Sequence, residues 1–157
     1  MKEIWAPWRI EYIRKSRDTG CFLCKSFASK KDQQNLILNR GKTCAVVINR
    51  YPYTSGHLMV APYRHIDSLQ AMTRKELNEM MALTIKAINA LKKGIHPQGF
   101  NVGINMGEVA GAGLKDHIHM HIVPRWSGDT NFMPVFADVR IIPQSLHDLW
   151  NHLHKLV

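Results

Sequence analysis

Two periods of apolar and polar positions run along this chain, and each predicts its own kind of element. Residues 35–39 (NLILN) and 43–49 (TCAVVIN) are apolar and β-branched, with Arg40, Gly41 and Lys42 between them, which reads as a hairpin. Residues 50–56 (RYPYTSG) form a turn-rich loop, and 57–62 (HLMVAP) a third strand. At residue 73 the period changes. Thr73 and Glu76 make a T-x-x-E capping box, Leu77, Met81, Thr84, Ile88 and Leu91 follow at helical spacing, and Gly94 is expected to close the helix. Its methionines read as core filler. Residues 100–105 and 116–123 are predicted strands, separated by a loop carrying Gly107, Gly111 and Gly113 just after Gly103. A late strand is expected at 139–142, and a short helix from Ser145 to near Leu156. Several strands with one long helix make an α+β sheet domain.

Composition narrows the class. The 157 residues suit one domain able to bury a core without disulfides. No apolar run approaches the ~20 residues needed to span a bilayer, and MKEIWAPWRIEYIRK lacks the apolar stretch of a signal peptide, so a cytoplasmic protein is expected. The formal net charge of +9 favours anionic partners, though the basic residues are scattered and a solvated basic surface explains them better than a nucleic-acid patch. No recognition helix or interleaved aromatic-basic motif points to nucleic acid. The odd cysteine count (Cys21, Cys24, Cys44) argues against a disulfide framework, and Cys44, inside CAVVI, reads as a small buried hydrophobe.

The chemistry concentrates in 117–123, HIHMHIV. In a strand, alternate side chains share a face, so His117, His119 and His121 are expected on one side and Ile118, Met120 and Ile122 toward the core. Three histidines on one strand splay too far to chelate one metal. Imidazole is also a nucleophile, and the preceding glycine-rich loop offers backbone N–H groups to phosphate oxygens. Together they suggest attack at phosphorus through a phosphohistidine-type intermediate. Polar histidines on an exposed strand face are the competing explanation.

HIHMHIV resembles the motif His-φ-His-φ-His-φ-φ (φ apolar) of the histidine-triad superfamily. NRYPYTSGHLMVAPYRH is similar to that family's ribose-holding strand-loop-strand, and NMGEVAGAG to its phosphate loop. The resemblance implies a histidine-triad fold: an antiparallel sheet of about five strands, one long helix and a C-terminal helix. It divides a single domain of 1–157 into an N-terminal extension (1–34), a core (35–126) and a tail (127–157). It implies a nucleotidyl-transferring or hydrolysing enzyme with His119 as nucleophile, His121 as a supporting phosphate contact, His117 as an orienting residue and His57 supporting from a neighbouring strand. Asn49 would contact ribose and Asn105 the phosphate side, where turn chemistry is their commoner role. Many members place Gln-Ser or Gln-Thr before the triad. This chain has Gly111, Ala112, Gly113 and Leu114, so backbone amides would assist the leaving group. Arg125 and Trp126 follow the triad and would line the site's exit. A surface charge for Arg125, and packing for Trp126 and Phe132, are the alternatives.

WAPWRIEYI, CFLC and PRWSGDTNFMPV resemble the diadenosine-polyphosphate phosphorylase branch of that superfamily. The resemblance implies cleavage of diadenosine tetraphosphate by inorganic phosphate into ATP and ADP. Other activities remain open: a dinucleoside polyphosphate hydrolase, a nucleoside phosphoramidate hydrolase, or a non-catalytic nucleotide sensor. Cys21 and Cys24 have zinc-ligand spacing. The resemblance completes a structural zinc site with His65 and His117, the alternative being two reduced thiols at a helix start. No organic cofactor is implied. The family is commonly a homodimer, with the long helix and an edge strand at the interface.

Overall fold

The computed structural model describes residues 20–129, 142 and 144–157. The expected strand at 139–142, all but Ile142, and the WAPWRIEYI and Phe132 segments lie outside these residues. In order, the elements are α1 (Phe22–Ala28), β1 (Ile37–Arg40), β2 (Cys44–Ile48), β3 (Leu58–Pro62), α2 (Arg74–Ile95), β4 (Gly99–Ile104), β5 (Met120–Arg125) and α3 (Leu146–Leu153). The five strands form one antiparallel sheet in the order β1-β2-β3-β5-β4. The fold is the α+β arrangement expected, with a long helix and a C-terminal helix. Among the described residues no helix is long and apolar enough to cross a membrane.

Both faces of the sheet are covered. Val46, Ile48, Leu58, Val60 and Ile122 pack against Met80, Ala87 and Leu91 of α2 and Leu149 and Leu153 of α3. On the other face Ala45, Val47, Met59 and Ala61 pack against Leu23 of α1. This is why β2 and β3 are buried at every position rather than at alternate ones. Cys44 is fully buried, as its apolar run indicates.

The capping box forms in full: the Thr73 side chain accepts from the Glu76 N–H while the Glu76 carboxylate accepts from the Thr73 N–H. Two other expectations for α2 are corrected. The helix runs through Gly94 to Ile95, and His96, in the left-handed region at φ 48, caps it. Gly94 serves packing instead: a Cβ there would meet Leu153 Cδ2 at 2.7 Å. The expected core stripe holds at Thr84, Ile88 and Leu91 but not at its first two positions. Met80 is core, whereas Leu77, Met81 and Ile85 lie exposed in a row of their own.

Candidate active site

β5 begins only at Met120, four residues later than the sequence pattern suggests, because pairing with β3 starts at Val60↔Met120. Alternation still places Ile118 and Ile122 in the α2-side core, with Met120 packed against it. The three imidazoles do not form one patch, however. His119 and His121 gather with His57, whereas the His117 ring turns toward Cys21, Cys24 and His65. The His117 ring is drawn off by the residues that α1 and the segment after β3 bring to it.

His57 precedes β3 directly and follows Gly56, whose φ of +80 is in the left-handed region. The ring is fully buried. Its Nδ1 accepts from the Tyr53 N–H at 3.1 Å, with Asn49 Nδ2 at 3.3 Å from the same atom. A neutral ring accepting at Nδ1 carries its proton on Nε2. That Nε2–H donates to His121 Nδ1 across 2.9 Å. His121 is therefore protonated at Nε2, which leaves a donor directed away from His57. Burial holds His57 down to about 3, with His121 and His119 adding to the shift, and holds His121 down to about 4. At neutral pH both rings are uncharged and act through hydrogen-bond direction.

His119 is 5% exposed, and its ring centroid lies 4.7 Å from that of His121. Its Nδ1–H donates to the His117 carbonyl at 2.8 Å. Burial lowers its pKa as well. Such a ring presents an unprotonated Nε2, and the carbonyl behind it stabilises the positive charge that develops when Nε2 forms a bond.

His117 has its own surroundings. Its Nε2–H donates to Pro62 O at 2.9 Å, which leaves Nδ1 with a free lone pair 3.2 Å from Cys21 Sγ and 3.5 Å from Cys24 Sγ. His65 Nδ1 is 3.4 Å from Cys24 Sγ, and all four ligand atoms lie within 4.8 Å of one another. A tetrahedral ion with ordinary Zn–S and Zn–N lengths sets its ligand atoms roughly 3.3–3.8 Å apart, so this group is able to hold a metal ion. Burial, and then Cys21 beside it, push the Cys24 thiol up, an unfavourable pairing that a cation would relieve.

The remaining expected residues fall into two groups. Asn49 borders the site: its Oδ1 accepts from the Tyr51 N–H at 2.9 Å, so its turn chemistry and its contact with His57 coexist. Asn105 and Gly111 lie on the loop leading to the histidines, joined by a 3.4 Å bond from Asn105 Nδ2 to Gly111 O. The Gly111 and Ala112 N–H groups donate to Glu108 O and Gly107 O within that loop. A Cβ at Gly113 would meet nothing within 4 Å, so protein packing does not require glycine there. Arg125 and Trp126 are not gathered with the histidines. Arg125 lies roughly 13 Å along β5 from His121. Its guanidinium already donates to Asp129 and Asn101, and Trp126 Nε1 donates to His96 O. Tyr53 was not singled out from the sequence, yet its ring lies 4.6 Å from His57 and 6.0 Å from His121, centroid to centroid. Its position four residues before His57 in a tight loop was the available signal.

Known proteins bear on this arrangement. The HIT domain family matches residues 30–128. The AP-4-A phosphorylase of Mycobacterium tuberculosis is 39% identical over 156 residues, covering 94% of this chain and 80% of that protein. The asymmetrical bis(5'-nucleosyl)-tetraphosphatase of Schizosaccharomyces pombe is 30% identical over 103 residues, covering 66% of this chain and 56% of that one. A zinc-bound histidine triad family protein from Mycobacterium smegmatis superposes with a TM-score of 0.70 at 25% identity, covering 87% of this chain and 92% of that one.

Proposed function

From a chain that belongs to the HIT domain family, we propose a nucleotidyl-transferring enzyme that cleaves diadenosine tetraphosphate with inorganic phosphate, releasing ATP and ADP. The observation that carries this reading is the pair of hydrogen bonds that orient His119 and His121. His119 has its proton on Nδ1, against the His117 carbonyl, and its lone pair on Nε2. His121, set by His57, offers an Nε2–H beside it. The similarity to the AP-4-A phosphorylase of M. tuberculosis supports the choice of substrate.

The reaction is two displacements. The His119 Nε2 lone pair forms a bond to an α-phosphorus. The P–O bond to the remaining polyphosphate breaks, and ATP leaves with that electron pair. A phosphate oxygen then attacks the same phosphorus, the P–N bond breaks back to His119, and ADP departs. Dividing one displacement in this way lowers each barrier. The His121 Nε2–H stabilises a non-bridging oxygen whose charge grows in both steps. Asn49 borders the ribose and the 105–113 loop borders the phosphates. Arg125 and Trp126, held by their own partners, stand apart from these contacts. Cys21, Cys24, His65 and His117 would hold zinc, as the zinc-bound relative's fold encourages, and a closed four-ligand set supplies folding energy rather than a reacting centre.

The protein is proposed to act as a homodimer. Leu77, Met81 and Ile85 are exposed on α2, and Val102 is exposed on the edge strand β4. Val102 lies between Phe100 and Ile104 on the same face of β4, and those two pack on the α2 side, so Val102 shares that side of the molecule with α2.

Turnover of diadenosine tetraphosphate with and without phosphate, products resolved by ion exchange, tests the activity. ATP plus ADP only with phosphate, lost in His119→Ala, is the expected result. ATP plus AMP without phosphate would replace the phosphorylase with a hydrolase, the activity for which the S. pombe relative is named. No turnover in either condition overturns the substrate.

A further inference from the structure

Gly103 lies inside β4, a place where glycine weakens a strand. An interior strand glycine marks a bulge, a sharp bend or the close approach of another group. β4 and β5 pair without a slip from Gly99↔Arg125 to Ile104↔Met120, so there is no bulge at Gly103. Its φ lies outside the left-handed region. A Cβ there would meet nothing within 4 Å among the described residues. Neither backbone conformation nor packing within the protein therefore calls for glycine at 103. Gly99, equally bare, is the first residue of the strand, beside Arg125 rather than the histidines.

Gly103 is the direct partner of His121. Residues opposed in this way carry their Cβ atoms roughly 5 Å apart on one face of the sheet. β5 lies between β3 and β4. His57, next to β3, engages His121 Nδ1, so the His121 Nε2–H points toward the β4 side. A side chain at 103 would stand beside that N–H. Over β2 and β3 the same face is covered, with Leu23 of α1 packed on Ala45, Val47, Met59 and Ala61. Asn101 and Gly103 are exposed. The way out from His121 is therefore over β4. At the end of this strip Asn101 Oδ1 accepts from Arg125, and Asp129 balances the Arg125 charge, so the strip offers room rather than a phosphate clamp.

We propose that Gly103 determines substrate size: the bare backbone beside His121 is the subsite along which the leaving polyphosphate chain and its nucleoside run over β4. Dinucleoside polyphosphates then fit where a side chain would admit only nucleotides with a small leaving group. This inference rests on the proposed attack by His119. In successive in-line displacements the acceptor phosphate enters on the side that the leaving chain vacates, so one open strip serves both steps.

Titration calorimetry of the full chain with two probes tests this. AMP carries the transferred half alone. A diadenosine tetraphosphate analogue with methylene groups in place of the α,β-bridging oxygens carries both halves and resists cleavage. Wild type is expected to bind both. Gly103→Val, β-branched and suited to a strand, is expected to weaken the analogue about tenfold or more through steric conflict and to leave AMP affinity unchanged, with Gly103→Ala in between. Melting curves verify folding, and if the valine variant does not fold, Gly103→Ala decides. Equal loss for both probes, or no loss for either, overturns the proposal. Failure of the wild type to bind the analogue refutes the dinucleotide substrate and the inference with it, a different outcome from a wild type that binds the analogue and a Gly103→Val variant that binds it as well.

Discussion

His57 Nε2 and His121 Nδ1 lie 2.9 Å apart, and both rings are held neutral far below the ordinary histidine range. In the unfolded chain each takes up a proton near pH 6.5. In the folded protein protonation waits until about 3 for His57 and about 4 for His121. Between those limits the unfolded state binds more protons, so stability is full above pH 6.5 and is lost as pH falls. Each such group contributes a slope of about 1.4 kcal/mol per pH unit. Denaturant melts from pH 7 to pH 4 should show this loss, and His57→Gln should flatten it by about one proton. An unaltered slope in that variant would mean that burial does not keep His57 neutral.

Glu76 acts in the same direction in a lower pH window. Its carboxylate accepts from Arg64 Nε and Nη2 and from the Thr73 N–H, each at 2.7 Å. The Arg64 guanidinium, with the Thr73 bonds, holds it down to about 2 against an ordinary value of 4.5. A depressed carboxylate stabilises above 4.5 and loses that contribution as pH falls toward 2. Glu76→Ala is therefore expected to lower stability by about 1–2 kcal/mol at pH 7 through loss of the cap. Its deficit relative to wild type should shrink only below pH 4.5, as urea titrations at pH 7, 5 and 3 would show.

Gly56→Ala tests how the loop delivers His57. The residue has φ +80, and a Cβ would sit 2.5 Å from Ile95 Cδ1 and 3.1 Å from Leu91 Cδ2 and Pro124 Cγ. Left-handed strain and overpacking together cost about 2–4 kcal/mol. A fall in Tm of roughly 5–15 °C is expected by calorimetry, with a drop in kcat because His57 moves. A Tm within about 2 °C of wild type would show that the loop yields freely.

Met81→Glu with Ile85→Glu addresses the exposed row on α2. Two charges replacing apolar contacts in an interface core cost several kcal/mol, on the order of a 100-fold rise in the dimer Kd. Sedimentation equilibrium at micromolar protein should show a dimer for wild type and a monomer for the variant, with α2 helicity retained. A wild-type monomer would remove the homodimer from the proposal.

Local chemistry determined much of this protein from its residues alone. The hairpin across Arg40, Gly41 and Lys42, the capped start at Thr73 and the core orientation of Ile118 and Ile122 depend on neighbours within a few positions, and each is legible in the sequence. The His-φ-His-φ-His-φ-φ pattern and the Cys21–Cys24 spacing likewise marked where chemistry would concentrate. Tertiary structure decided the rest. Gly94 signalled a helix end, but the close approach of α3 made it an interior packing position. Met81 had a core-like spacing, but rotation of the helix against the sheet left it outside. Above all, the sequence period implied three equivalent imidazoles. Only the tertiary fold brought the His117 ring to Cys21 and Cys24, 96 and 93 positions away, while its carbonyl stayed with His119. Side-chain period is a property of a strand, whereas the place where a strand begins depends on a partner distant in the chain.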